Sequence, residues 1–210
     1  MSKVLNQSNA ALVEARLKEF ESNTGCELLL VMANQSDPYP GASWRFGLVG
    51  GFLISLTFSY FFEFSHRWLW PLSFFAFSLL MVWIGHFPWA KRMALSDWEV
   101  DRECAEKAIE LFHTLGTSAV THKVTAMIMV SELEHNLEVL VDKKLAEKIT
   151  PPELDELIKT MQPHFRSGHG AQGLLASIDL LEKKILASFG GKVSELTPSQ
   201  LSDVIHYINA

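Results

Sequence analysis

Three carboxylates, Asp37, Glu138 and Asp142, are the side chains in this sequence best suited to chemistry, because a hard cation such as Ca²⁺ takes several carboxylate or carbonyl oxygens. They are scattered along the chain without the loop spacing that would fix their geometry. On the plainer reading Asp37 starts a turn, and Glu138 and Asp142 are strand-end groups facing water. Five histidines, His113, His122, His135, His164 and His169, include no pair at a spacing that one helix would bring together as metal ligands. They read as surface or hydrogen-bonded core residues. Gly168-His169-Gly170 precedes a helical pattern, where exposed backbone amides favour anions, but a plain helix–helix connection is the better reading of it. Lys143-Lys144 is a short basic pair that suits solvent or anionic headgroups.

The nucleophile, phosphate and metal signatures GxSxG, P-loop, HExxH and CxxC are all missing from the sequence. No residue is therefore assigned as catalytic, cofactor-binding or metal-ligating, and no cofactor is expected unless the scattered carboxylates take calcium. Cys26 and Cys104 each stand in an apolar periodic segment and read as small buried hydrophobes. A formal net charge of −6, with no cluster of Lys and Arg, argues against a nucleic-acid partner.

The elements that position these residues alternate between helix and strand. Leu12, Ala15, Leu17 and Phe20 lie in a charged helical pattern that stops at Asn23-Thr24-Gly25, and CELLLVMA from Cys26 reads as a buried strand. Ser96-Asp-Trp-Glu99 is a capping box, opening a helix with Cys104, Ala108, Leu111, Phe112 and Leu115 inward and an end at Gly116. Residues 125–133 and 136–142 are β-rich runs joined through Glu134-His135 as a tight hairpin. Both runs are apolar on both faces, so helices are expected over each side of the sheet. Thr150-Pro-Pro-Glu153 opens a helix with Leu154, Leu157, Ile158, Met161 and Phe165 inward. After a break at 166–170, a helix with Leu174, Ile178, Leu181 and Ile185 runs to Gly190-Gly191, and Thr197-Pro-Ser-Gln200 predicts a short final helix.

The hydrophobic share is 48% and the mean hydropathy +0.13, but the apolar excess is concentrated between Trp44 and Trp89. Residues 46–62 and 69–87 contain no formally charged residue, and each approaches the ~30 Å of a bilayer core at about 1.5 Å per residue. Trp44, Trp68, Trp70 and Trp89 fall near the four ends, where indole rings favour the headgroup region. The pattern predicts a transmembrane hairpin of two helices joined through Glu63–Trp68. Gly47, Gly51, Ser55 and Ser59 form a stripe of small residues, for packing the two spans together or for contact with another copy or partner. No acid or base lies within either span, and His86 stands close to an interface, so an ion relay is not expected. Arg45 before the first span and Lys91 and Arg92 after the second put both termini in the cytoplasm by the positive-inside rule. The opening MSKVLNQSNAALVEARLKEF lacks the apolar h-region of a signal peptide and fits that expectation.

The expected organisation is therefore 1–43 as the first helix and strand, 44–89 as the hairpin, and 90–210 as the rest of one α/β domain. Thr24–Leu28 (TGCEL), Ser36–Tyr39 (SDPY), Ala126–His135 (AMIMVSELEH), Leu137–Asp142 (LEVLVD) and Gly170–Leu174 (GAQGL), in that order around a hairpin, resemble the TPM domain family. The likeness is to its bacterial membrane-bound branch. It implies an α/β fold with a central sheet covered by helices on both faces and a transmembrane α-helical hairpin inserted after the first strand. For some members it implies bound calcium, for plant relatives acid phosphatase activity, and for others assembly or maintenance of membrane complexes. In bacterial relatives it implies a LemA-type membrane protein as partner. His135-Asn136 stands where the family pattern has a charged turn residue. The function expected is that of a membrane-anchored protein-binding or assembly subunit of a bacterial inner-membrane complex. It would be oligomeric, in contact with the lipid bilayer and without its own catalysis. The alternative is a divalent-cation-dependent acid phosphatase.

Overall fold

The computed structural model describes residues 7–61, 68–116, 124–193 and 205–208. In chain order the elements are α1 (Gln7–Thr24), β1 (Glu27–Ala33), α2 (Pro40–Phe61), α3 (Leu69–Ile84), α4 (Pro88–Ala94) and α5 (Asp97–Leu111), the last closing in a π-helical turn at Phe112–Gly116. Then follow β2 (Thr125–Ser131), β3 (Asn136–Val141), α6 (Lys143–Ala146), α7 (Pro151–Arg166), α8 (Gly170–Phe189) and β4 (His206–Ile208). The chain divides into two compact units, one of residues 1–36 with 101–210, the other of residues 37–100. The second is wider at both ends than the apolar window 44–89.

In the first unit the described strands form one sheet in the order β3-β2-β1-β4, with β1 parallel to β2 and β4 and β2 antiparallel to β3. Every residue of β1 and of β2 is buried, as expected of near-continuous apolar strands sandwiched between helices. Leu28, Leu30 and Met32 of β1, Ala126, Ile128 and Val130 of β2, and Leu137 and Val139 of β3 share one core with α1, α7 and α8. The α8 stripe Leu174, Ile178, Leu181 and Ile185 is fully buried there, as its spacing predicts. In α1 the buried stripe is Val13, Leu17 and Phe20, while Leu12 and Ala15 are exposed. Gly25, at φ 69°, ends α1 in the left-handed conformation that a side chain disfavours.

The opposite sheet face carries Leu29 and Val31 of β1, Met127, Met129 and Ser131 of β2, and Asn136 and Glu138 of β3, as the register dictates. Helix α5 lies against it: Asp101 accepts from Asn136 Nδ2 at 3.4 Å, and Cys104, Ala108 and Leu111 are buried. Covering both faces was expected, but β3 alternates between buried and half-buried positions, because it is an edge strand. The strand β4 was not foreseen. The helix expected from Thr197 lies outside the described residues.

In the second unit α2 and α3 pack antiparallel, since contacts pair rising numbers along α2 with falling numbers along α3. Gly47 meets Val82, Gly51 meets Ser78, and Ser55 hydrogen-bonds Ser73 at 2.9 Å. Gly47, Gly51 and Ser55 of the small-residue stripe are thus used in packing α2 on α3, while Ser59 turns its hydroxyl back to the Leu56 carbonyl of its own helix at 2.9 Å. Among the described residues no single helix is long and apolar enough to cross a membrane, whereas α3 and α4 together meet that requirement but are bent by 110° at their break. The second apolar run therefore does not form the continuous helix over 69–87 that its composition predicts. Pro88 has no N–H and disfavours helix at the preceding residue, and Phe87 is accordingly extended (φ −71°, ψ 142°).

Candidate functional site at the carboxyl ends of the central strands

Open α/β sheets gather their functional groups beyond the carboxyl ends of parallel strands. At that end of β1 and β2 a chain of buried polar groups closes the sheet. The Glu134 carboxylate, in the turn after β2, accepts from the Ser36 N–H at 2.8 Å and from the Ser131 hydroxyl. Ser36 Oγ donates to Ser131 Oγ at 3.1 Å and stands 3.0 Å from Cys104 Sγ of α5. Backbone bonds brace the same corner, with Glu132 N–H donating to Ala33 C=O at 2.9 Å and Leu133 N–H to Asn34 C=O at 3.0 Å.

The sequence builds this arrangement locally. The apolar strands β1 and β2 give way to polar residues where the chain turns, and His135, at φ 55°, adopts the left-handed conformation that the tight β2–β3 turn requires. Because Ser36 ends the first segment of this unit and Cys104 lies just inside the second, their contact ties the departing and returning chain together. All four side chains are buried, Ser36 the most exposed of them at 6%. Burial drives the Cys104 thiol up to about 11, against the lowering effect of the Ser36 hydrogen bond, so it stays protonated at neutral pH and is a poor nucleophile. Glu138 is likewise raised, by burial first and then by Asp101 across from it. These groups satisfy one another inside the fold and act as a lock on the sheet's end.

The three carboxylates considered for a cation have separate structural tasks. Asp37 accepts from the Tyr39 N–H at 2.7 Å within the second unit, starting the turn expected of it. Asp142 caps α6 by accepting from Leu145 N–H at 3.0 Å, and it also accepts from Thr125 N–H at 3.3 Å at the opposite end of β2 from Ser131. Glu138 is half-buried in the middle of β3, paired with Met129, not a solvated strand-end group. Among the described residues no three His, Cys, Asp or Glu side chains gather as a metal site would need.

His113 is exposed in the turn after α5, and His164 packs beside Gly173 where α7 meets α8. His169 Nδ1 lies 3.2 Å from Ser167 Oγ in the connection between those helices, and His122 is outside the described residues. Lys143 and Lys144 form the first turn of α6. The polar lock was not anticipated as a unit. Ser36 and Glu134 stand at the ends of apolar runs, which is the signal that would have found them, but nothing in the spacing links them to Cys104.

Residues 97–184 match the family model TPM_phosphatase, described as the TPM domain. The match takes in α5, β2, β3 and α6–α7 with most of α8. No curated protein matches the chain. Among solved structures, the NMR structure of the BA42 protein from the psychrophilic bacterium Bizionia argentinensis is similar in fold, with a TM-score of 0.57 at 12% identity over 97% of this chain and 94% of that one. The TPM-like α/β fold expected from the sequence is thereby found.

Proposed function

We propose that this protein is a bilayer-anchored TPM-fold binding module, held in a bacterial inner membrane by α2 and α3 and acting as a protein-binding or assembly subunit. The observation that carries the reading is the inverted burial of the helix pair. Ser43, Ser55 and Ser78 and the glycines Gly47 and Gly51 face inward, while Val49 (62% exposed), Phe75 (64%), Leu79 (65%) and Trp83 (65%) face out. Water-exposed proteins seldom show a contiguous apolar surface beyond about 300–600 Å². Helices packed in lipid put small and polar residues between them and leave apolar ones outside.

The 22 residues of α2 span roughly 33 Å at helical rise, so α2 has the length of the ~30 Å hydrocarbon core but falls short of the apolarity of a lone spanning helix. The 16 of α3 give roughly 24 Å, so α3 needs local thinning or the residues flanking it. Arg45, Lys91 and Arg92 at one end of the pair favour the cytoplasmic face for that end, and hence for the TPM-fold unit. On the partner side, the locked, satisfied polar groups at the sheet's end supply no activated nucleophile, which supports binding over catalysis. The ligand of such a module is a membrane protein, of LemA type or a second copy of this chain.

Alkaline carbonate extraction of membranes from expressing cells tests the anchor, and mild-detergent pull-down tests the partner. Retention in the pellet with a stoichiometric membrane partner or a defined oligomer is expected. Release into the carbonate supernatant overturns the anchor, and a monodisperse lone protomer overturns the assembly role. The phosphatase reading rests on the name of the matching family model. Hydrolysis of a generic phosphomonoester by the purified protein with Ca²⁺ or Mg²⁺, abolished by Asp142→Ala, would replace the non-catalytic reading.

A further inference from the structure

We infer that the helix pair α2–α3 is built for a thin bilayer: it fits a hydrocarbon layer of about 24–26 Å and gathers phospholipids with short acyl chains around itself in preference to long ones. The inference rests on the reading of α2 and α3 as membrane-embedded, and it specifies the lipid that they fit.

Two lengths, set by different residues, agree. On α2 the uncharged stretch 46–62, between Arg45 and Glu63, spans roughly 26 Å at helical rise. On α3 the 16 residues Leu69–Ile84 span roughly 24 Å. Exposed aromatic side chains mark both ends of the pair. The antiparallel contact of Gly47 with Val82 puts Trp44 and Trp83 toward one end and Tyr60 and Trp70 toward the other. Trp44 and Tyr60 are separated by roughly 24 Å along α2, and Trp70 and Trp83 by roughly 20 Å along α3. Indole and phenol rings favour the headgroup boundary, so these separations bound the apolar layer between two such boundaries. Each of the four lengths falls short of the ~30 Å of an ordinary hydrocarbon core.

At the end beside α4 the pair has no room to lengthen. Ser43 Oγ donates to the Gly85 carbonyl at 2.9 Å, Phe87 is extended, and the chain bends by 110° into α4. Tilting does not help a helix that is already short, because it only reduces the projection along the bilayer normal. The cations at this end are engaged within the same unit. Arg45 donates two hydrogen bonds of 2.9 and 2.8 Å to Glu99, and Lys91 Nζ donates to the Pro38 carbonyl at 2.8 Å. Neither side chain is left to snorkel and so extend the span. The remaining accommodation is in the lipid, by thinning or by enrichment of short chains.

The test uses the native fluorescence of the unaltered chain, because all six tryptophans lie from Trp44 to Trp98, within the second unit. The purified full chain is reconstituted in mixtures of dioleoylphosphatidylcholine with its dimyristoleoyl or its dierucoyl counterpart. One lipid of each mixture carries brominated chains, which quench tryptophan on contact and so report which lipid surrounds the helices. Dimyristoleoyl chains enriched several-fold over dioleoyl, with dierucoyl chains depleted, is the expected result. Equal quenching at every chain length, or a preference for dioleoyl or longer chains, overturns the thin-layer fit and leaves the anchor standing. Absence of quenching by every brominated chain overturns both.

Discussion

Replacing Gly51 with alanine tests whether α2 and α3 owe their pairing to close backbone approach. A Cβ at position 51 would lie 2.3 Å from Ser78 Oγ and 2.5 Å from both the Cα and the N of Ser78. Backbone atoms cannot swing aside, so α3 must retreat by roughly an ångström before ordinary van der Waals separation returns, and overpacking of this kind costs about 1–3 kcal/mol. Alanine returns up to about 1 kcal/mol through helix propensity, so a clash at the upper end of that range, as contact with backbone atoms implies, leaves a net loss of up to about 2 kcal/mol. Gly41 has nothing within 4 Å of its added Cβ, and Gly50 would meet the flexible end of Met81. The predicted order of stability is therefore Gly41→Ala, then Gly50→Ala, then Gly51→Ala. Hydrogen exchange of the central α2 amides in a mild detergent, followed by mass spectrometry, reads the pairing locally. A loss of up to about 2 kcal/mol speeds exchange by up to roughly 30-fold. Amides in Gly51→Ala as protected as those in the unaltered protein, or a Gly41→Ala variant equally weakened, would refute close packing as the reason for glycine there.

Two further outcomes follow from the polar contacts. Glu134→Ala strips the acceptor from the Ser36 N–H and the Ser131 hydroxyl, each left buried at about 1–3 kcal/mol, so the melting temperature falls by at least about 4 °C while Glu134→Gln loses less. A melting temperature unchanged in Glu134→Ala would show that the lock holds nothing. Glu99 is held down to about 2, chiefly by its hydrogen bonds to Arg45. Its folded value lies below the ordinary 4.5, so the pair's contribution is complete above pH 4.5 and lost as pH falls through about 2. The pair is largely exposed and adds only about 0.2–1 kcal/mol. In an NMR titration Arg45→Gln should move the Glu99 midpoint up toward 4.5, and a midpoint that stays put would remove Arg45 as the cause.

Local pattern sufficed wherever one periodic stripe decides an element. The α8 stripe from Leu174 to Ile185, the Ser96–Glu99 and Thr150–Glu153 capping boxes and the apolar strands β1 and β2 were all legible, because each is marked by a pattern of residue types within one short segment. In α1 two offset apolar series compete, and Val13 wins over Leu12 through packing that spacing cannot show. The strand β4 is three residues long, too short for a period, and pairs with β1 some 175 positions earlier in the chain, as Val31 with His206. The Ser36–Cys104–Ser131–Glu134 lock failed for the same reason: its members come from three segments that only the finished sheet brings together.

Apolarity and burial are separate quantities, and the region between Trp44 and Trp89 is where the difference matters. Composition marks that region as apolar, but a core helix and a lipid-facing helix read alike until it is known which side chains point inward. In the core of the first unit large apolar residues are inside, as Phe20, Leu157 and Ile178 are. In the second unit serine and glycine are inside while tryptophan, leucine and phenylalanine are outside. One chain thus follows two opposite burial rules: burial away from water accounts for the first, and the second is the pattern on which the proposed bilayer anchor rests. The break at Gly85–Pro88 falls where the apolar run meets Lys91 and Arg92, so the change of helix direction coincides with the change of composition.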